Sequence, residues 1–358
     1  MYDIGLPSGK SLFQLQAERL RRLCVLANEA NPDAKGAGIP WYIMTSPMND
    51  AVTREFFEKN MFFGLPKSDV FFFPQGTLPC MTVEGKIILE SAGRVAMAPD
   101  GNGGIYPALE QKGALADMRK RGVEYLHVFS IDNALLRVAD PYFIGYCLEN
   151  GADCGNKSVW KTEPGEKVGV VALRRGKPSV LEYSEMDKEM CERVDSEGKL
   201  VFGAGNICNH YFSRAFLEDT VLPKMGSMFH VAHKKIPAAS GERGETVKPD
   251  SNNGIKLESF IFDVFPLSEK MVLFEAVRED EFAPVKNAPG SATDSPDTAR
   301  KMMSDQARRW AEAAGASLTG GDGGEEPCEV SPLVSYGGEG LNMRLGGKKL
   351  VLPFHIEA

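Results

Sequence analysis

One segment concentrates residues that let a ligand come close: APDGNGGIY, residues 98–106. Three glycines in four positions bare the backbone where a Cβ would hold a ligand off. An ordinary Gly-rich turn has the same composition, and the spacing is not the G-x-G-x-x-G of a dinucleotide loop. Asp132 follows the apolar run YLHVFSI (125–131), at the carboxyl end of a strand, where open α/β sheets hold ligands. A carboxylate there suits Mg2+, which keeps several waters and bridges phosphate oxygens; a turn-forming Asp before Asn133 would use the same residue. Gln75, in FFFPQGTLPC (71–80), follows another apolar run and could read a base edge through its amide. Asn206, in GAGNICNH (203–210), reads as part of a second Gly-rich loop and could offer an amide to a sugar hydroxyl. Lys256, in NGIKLESFIFD (253–263), and Lys286, in EDEFAPVKNA (279–288), would suit phosphates, but lysines are equally at home as solvated charges.

Other chemistries are poorly represented. The five histidines are scattered, and His230 with His233 is too sparse a pair for a metal site. The seven cysteines include no C-x-x-C and read as reduced, mostly buried thiols. A net charge of −8 lacks the dense basic footprint that nucleic acid or an anionic membrane requires. No apolar stretch reaches spanning length and no signal-peptide run opens the chain, so the expectation is a cytosolic protein. Phosphate chemistry here would rest on a few placed lysines and backbone amides.

The elements that must position these residues follow from periodicity. Residues 10–30 carry leucines at helical spacing, with Ser8 as the predicted cap. Continuous apolar strands are predicted at 41–45, 70–73 and 125–131, with a helix near 49–59 between the first two. Strands without polar alternation, separated by helices, point to a parallel or mixed sheet covered on both faces, an α/β protein. Residues 168–173 and 179–183 read as a hairpin, and 253–263 as a helix carrying Lys256, Phe260 and Phe262. The stretch NAPGSATDSPD (287–297) reads as a linker, which predicts a core of residues 1–289 and a small C-terminal domain of 290–358. Beyond the linker come a helix at 298–314, a Gly-rich loop around 320–324 and a tail at 350–356.

Taken in order, MYDIGLPS, IPWYIMTS, FFFPQGTLPCM, MAPDGNGGIY, RGVEYLHVFSIDN, ADPYFIGYCLENGADCG, VLEYSE, FGAGNICNHYF, NGIKLESFIFDVF, REDEFAPVKNA and CEVSPLVSYGGEGL resemble the eukaryotic UDP-N-acetylglucosamine pyrophosphorylases of the UDP-sugar pyrophosphorylase family. The resemblance implies a nucleotidyltransferase, Rossmann-like fold: a mixed central sheet flanked by helices, with a small C-terminal domain. It implies the reaction of UTP with N-acetylglucosamine 1-phosphate to give UDP-N-acetylglucosamine and pyrophosphate, with Mg2+. By motif, Gln75 and Gly101 would contact the uridine, and Asn102, Gly169, Glu182, Tyr183, Asn206, Phe260 and Phe262 would line the sugar pocket. Asp132 would serve the metal and UTP, while Lys256 and Lys286 would meet the phosphates. A second reading is a catalytically silent protein that binds a sugar nucleotide or a protein partner; the retained Asp132, Lys256 and Lys286 favour the enzyme.

The family also carries, just upstream of MYDIGLPS, a loop of the type L-x-x-G-x-G-T followed by P-K, whose glycines and basic residues cradle the nucleotide. These 358 residues start at or just after that point. The expectation for them alone is negligible turnover and weak binding of UDP-N-acetylglucosamine, with UTP affected more than the product. Loss of the strand feeding that loop would also leave ladder groups and apolar surface unpaired.

Overall fold

The computed structural model describes residues 1–358 apart from 35, 37, 228, 241–243 and 322–325; part of the predicted Gly-rich loop at 320–324 thus lies outside the described residues. The first helix, α1 (Leu12–Ala30), buries Leu12, Leu15, Leu20 and Leu23. Its cap is Ser11, whose hydroxyl accepts from the Gln14 N–H, rather than the predicted Ser8. Gly9 turns the chain with φ +63°, so a helix can begin only after it. Ser8 is used elsewhere: its N–H and Oγ both donate to the Glu329 carboxylate at 2.8 Å, tying the two ends of the chain together.

Strand β1 (Trp41–Thr45), helix α2 (Asp50–Lys59) and strand β2 (Val70–Pro74) follow the predicted order, and the two strands pair in parallel. An aromatic cluster holds this unit. The Phe57 ring meets Phe13 of α1, Phe63 and Phe72 edge-on at 5.0–5.1 Å. Among the described residues β1 pairs with β2 alone. Strand β3 (Thr77–Pro79) then pairs antiparallel with β4 (Met97–Pro99), which leads into the Gly-rich loop and helix α3 (Ile105–Gln111).

Six strands make the central sheet: β5 (Tyr125–Phe129), β6 (Cys154–Trp160, after helix α4, Pro141–Glu149), β7 (Val170–Arg174), β8 (Lys177–Leu181), β9 (Ala204–Ser213) and, further along the chain, Met271–Glu275. The order is β8-β7-β9-β6 followed by the 271–275 strand, with β5 also against β9. The last strand runs parallel to β6 and the other pairs are antiparallel, which makes the sheet mixed. The β7–β8 hairpin turns at Arg175 and Gly176, both at positive φ, the turn whose twist suits a two-residue hairpin. Its strands fall within one or two residues of the predicted 168–173 and 179–183.

Two sequence expectations are corrected here. Residues 203–210 are the start of β9, not a loop. Their glycines serve close packing: a Cβ on Gly203 would run into the Trp160 indole, and one on Gly205 would sit 3.0 Å from the Val159 carbonyl. The strand bulges between Asn206 and His210, with Cys208 at φ +53°. The segment 253–263 is likewise not a helix. It opens as strand β11 (Gly254–Glu258), paired antiparallel with β10 (His230–Lys234), and passes into a 3-10 turn, Ile261–Leu267. Long-range bonds take the amides a helix would need: the Ser259 N–H donates to the Asp100 carbonyl and the Gly103 N–H to the Ser259 carbonyl. Asp132 stands three residues beyond β5, in a turn, because the strand ends at Phe129 rather than at 131.

Strand β12 names the 271–275 strand. The stretch 287–294 is irregular and leads into α5 (Pro296–Ala313), capped by Ser295. One part of α5, with Ala299, Met302 and Met303, packs on Ile4, Leu6, Leu12 and Leu15. The other, with Ala307 and Ala311, packs on Cys328, Val330, Leu341, Leu345 and Phe354. Among the described residues no helix is long and apolar enough to cross a membrane.

Candidate active site

The Gly-rich loop lies flat against the segment after β11. Gly101 sits at φ +89°, where any Cβ would run into the Ser259 backbone, and a Cβ on Gly103 would be 2.8 Å from the Phe260 carbonyl oxygen. The Asp100 carbonyl accepts from both the Ser259 N–H (2.8 Å) and its hydroxyl (3.0 Å). Gln75 reaches into this loop from the end of β2. Its Nε2 donates to the Asp100 carboxylate at 2.7 Å and to the Gly101 carbonyl at 2.8 Å. Both partners are acceptors, so the amide orientation is forced and only Oε1 remains to meet a ligand. Burial pushes the Asp100 carboxyl up, and the Gln75 bond opposes that. Asn102 spends its Oδ1 on the Ile261 N–H at 2.9 Å, which leaves its Nδ2 as a donor.

The bulge of β9 brings three more predicted residues together. The Asn206 N–H donates to the Gly169 carbonyl at 2.7 Å, and its Oδ1 accepts from the Cys208 N–H at 3.1 Å. A Cβ on Gly169 would stand 2.8 Å from Glu182 Oε1, so the glycine makes room for that carboxylate. Burial pushes the Glu182 carboxyl up, Glu185 adds to this, and His230 and Lys286 pull the other way. Tyr183, beside it, is 48% exposed. Phe260 and Phe262 face each other with centroids 5.2 Å apart, at the entry to the 3-10 turn.

A third group carries charge. The Asp132 carbonyl accepts from the Val285 N–H at 3.0 Å, which ties the Asp132 turn to the Lys286 segment. Burial pushes the Cys208 thiol in the bulge up to about 12; Asp132 raises it further and Lys286 lowers it, so both charges border the bulge. Lys256, on β11, acts in the same way on Cys80, at the end of the Gln75 loop. Among the described residues, neither the Asp132 carboxylate nor the ammonium groups of Lys256 and Lys286 has an ion pair or hydrogen bond. No group of three or more His, Cys, Asp or Glu side chains that could hold a metal ion is found among them either. A single free carboxylate that borders the bulge together with Lys286 does fit Mg2+, which takes one or two carboxylates and completes its shell with water and substrate oxygens.

Two supports escaped the reading of the sequence. Asn133, buried next to Asp132, donates to the Glu281 carbonyl (2.7 Å) and accepts from the Ala283 N–H (2.9 Å), and so clamps the Asp132 turn to the Lys286 segment. Glu281 is held in turn by Lys157, which is 0% exposed and also bonds Asp140 at 2.5 Å. The hint in the sequence was the polar run Asn156, Lys157 and Ser158 inside CGNKSVW, a strand buried on both faces. The third missed residue is His230, stacked on Phe260 at 4.4 Å. A cavity of about 350 Å³ beside α1, lined by Arg21, Val25, Ile39 and Leu65 among others, shares no residue with the cleft described here.

The candidate residues thus comprise a Gln75 whose Oε1 alone is left open, a polar and aromatic group around Asn206, Glu182, Phe260 and Phe262, and three unpaired charges. The profile of the family described as UTP–glucose-1-phosphate uridylyltransferase matches residues 2–312. The mouse UDP-N-acetylhexosamine pyrophosphorylase-like protein 1 is 48% identical, over 100% of this chain and 73% of its own. The UDP-N-acetylglucosamine pyrophosphorylase of Saccharomyces cerevisiae is 42% identical, over 96% of this chain and 71% of its own. Among solved structures, that of uridine diphosphate N-acetylglucosamine pyrophosphorylase from Trypanosoma brucei, in complex with inhibitor, superposes with a TM-score of 0.85 at 33% identity, covering 99% of this chain and 74% of that one. The chain belongs to the UTP–glucose-1-phosphate uridylyltransferase family, in its UDP-N-acetylglucosamine pyrophosphorylase branch.

Proposed function

We propose that these residues form the uridylyltransferase site that joins UTP and N-acetylglucosamine 1-phosphate to give UDP-N-acetylglucosamine and pyrophosphate. The observation that carries the proposal is a set of unpaired charges, Asp132, Lys256 and Lys286, bordering a pocket whose other polar groups are already fixed by the fold. The Gln75 Oε1 accepts a hydrogen bond from the uracil imide N–H; cytosine, with an acceptor at that position, is refused. Gly101, packed on the Ser259 backbone, contacts the uridine. Glu182 and Asn206 take sugar hydroxyls, Gly169 opens the space for Glu182, and Asn102 and Tyr183 complete the wall. Phe260 and Phe262 face the methyl of the N-acetyl group.

A phosphate oxygen of the sugar 1-phosphate attacks the α-phosphorus of UTP in line. The new P–O bond forms as the α–β bridging bond breaks and pyrophosphate departs. The nucleophile is already anionic, so no side chain is activated, and the protein's task is alignment and charge neutralisation. Lys256 and Lys286 supply positive charge to the phosphates. Asp132 would hold Mg2+, which when bound neutralises phosphate charge between the reactants. We also take residues 290–358 as a small C-terminal domain and the cytosol as the site of action.

A pyrophosphate-release assay with UTP and a panel of sugar 1-phosphates tests this reading. It should use these 358 residues and the same residues preceded by a G-x-G-T loop. The expected result is Mg2+-dependent release with N-acetylglucosamine 1-phosphate, strong in the longer chain and negligible in the shorter. Binding of UDP-N-acetylglucosamine without release from any sugar phosphate in either chain would favour the silent binding protein.

A further inference from the structure

His230 enters the cleft from β10, outside every motif used above. Its ring lies over Phe260 with centroids 4.4 Å apart and planes 27° from parallel. Its Nε2 is 2.8 Å from Asp263 Oδ1, and the other oxygen of that carboxylate accepts the Phe260 N–H at 2.7 Å. One carboxylate therefore holds both the backbone of Phe260 and the ring stacked upon it. Phe260 also meets Phe262 at 5.2 Å, so three rings are in contact through Phe260. The His230 side chain is 49% exposed, and its cross-strand neighbour is Glu258. A histidine this exposed gains little by burial, and a stack clamped at both ends restricts the motion of the phenylalanine.

We propose that His230 is a positioning residue for specificity: by stacking on Phe260 and sharing Asp263 with it, His230 holds the wall that recognises the N-acetyl group of the sugar. This rests on the reading of Phe260 and Phe262 as that wall. The ring, more than the polar link, does the holding. His230→Phe keeps it and His230→Gln does not.

The test is calorimetric titration of the purified protein and its variants with UDP-N-acetylglucosamine and with UDP-glucose, each variant first checked by thermal melting. His230→Ala and His230→Gln are expected to lower affinity for UDP-N-acetylglucosamine about fivefold, the size of one lost aromatic pair. Affinity for UDP-glucose, which has no acetyl group, stays unchanged, and His230→Phe stays near wild type for both. Equal losses for the two ligands in a folded variant overturn the proposal. So does wild-type selectivity in His230→Ala and His230→Gln while Phe260→Ala loses it. If Phe260→Ala itself leaves selectivity intact, the N-acetyl wall has been misassigned. A wild-type protein that binds neither compound overturns the site reading, and this inference falls with it.

Discussion

Lys157 and Lys286 carry the same ammonium group in opposite surroundings. Lys157 is 0% exposed, meets Asp140 and Glu281, and lies 5.4 Å from the rings of Phe143 and Phe274. Lys286 is exposed, and its nearest recorded aromatic neighbour is Phe282 at 6.0 Å. A buried charge must be paired within the protein, because desolvation would otherwise expel it. A charge meant for phosphate must stay unpaired, because an internal carboxylate would compete with the ligand. The first lysine is thus committed to the scaffold, and the second is left open, as a phosphate-binding group must be. The two are linked: Lys157 fixes Glu281, Glu281 fixes Asn133, and Asn133 holds the Asp132 turn against the Lys286 segment.

Breaking the buried side should have the largest effect. Lys157→Met leaves Asp140 and Glu281 facing each other in the core, at a cost of about 3–5 kcal/mol. Urea unfolding should show it, whereas Lys286→Ala should change stability by less than about 0.5 kcal/mol. Comparable midpoints for the two variants would erase the distinction. In turnover, measured in the chain preceded by a G-x-G-T loop, the ranking reverses: Lys286→Ala should cost roughly 10²–10³ in rate with the fold intact. Wild-type turnover would return Lys286 to the solvated surface.

Acid sharpens the same contrast. Burial holds His127 down to about 4 and His210 down to about 3, and His210 has no hydrogen-bond partner on either nitrogen among the described residues. Their unfolded pKa is near 6.5, so below that pH the unfolded chain binds protons that the folded chain refuses. The stability these neutral histidines contribute is full above about 6.5 and drains away as pH falls towards 4 and 3, by on the order of 8 kcal/mol for the pair. Denaturation at stepped pH should show this slope, and His210→Phe should flatten it. An unchanged slope would mean that His210 takes up its proton in the folded state.

Two smaller effects belong to the open side. Asp132→Asn should raise the Mg2+ concentration for half-maximal release by about tenfold or more and leave sugar preference alone; an identical Mg2+ titration would make Asp132 a turn residue only. In the proposed site Glu182 would accept sugar hydroxyls in its ionised form, and burial raises its pKa. Affinity for the sugar nucleotide should therefore be full at neutral pH and fall a few-fold as pH drops into the range just above ordinary carboxylates, about 4.3. Glu182→Gln should remove that dependence, and a pH profile identical in the two proteins would clear Glu182 of the role.

Strands β1 and β2, helix α1 and the β7–β8 hairpin were all legible, because each is declared by a local signal: an apolar run, a helical period, or a turn built on Arg175 and Gly176. The glycines at 101, 103 and 104 marked a close approach, though only the fold shows that Ser259 and Phe260 are what they approach. The motif order carried the family, and the resemblance it rests on supplied Gln75, Gly101, Gly169, Glu182 and Asn206 as candidate site residues. Tertiary structure decided the rest. Residues 253–258 became a strand because β10 and the Met81 backbone offered partners. Residues 204–210 became one because β5 and β6 offered ladder partners on either side. No local pattern says that Lys157 will be buried between two carboxylates, or that His230 will lie on Phe260. Those contacts join residues 17 to 124 positions apart and others on separate strands, and a sequence read window by window contains no information about which distant segments will meet.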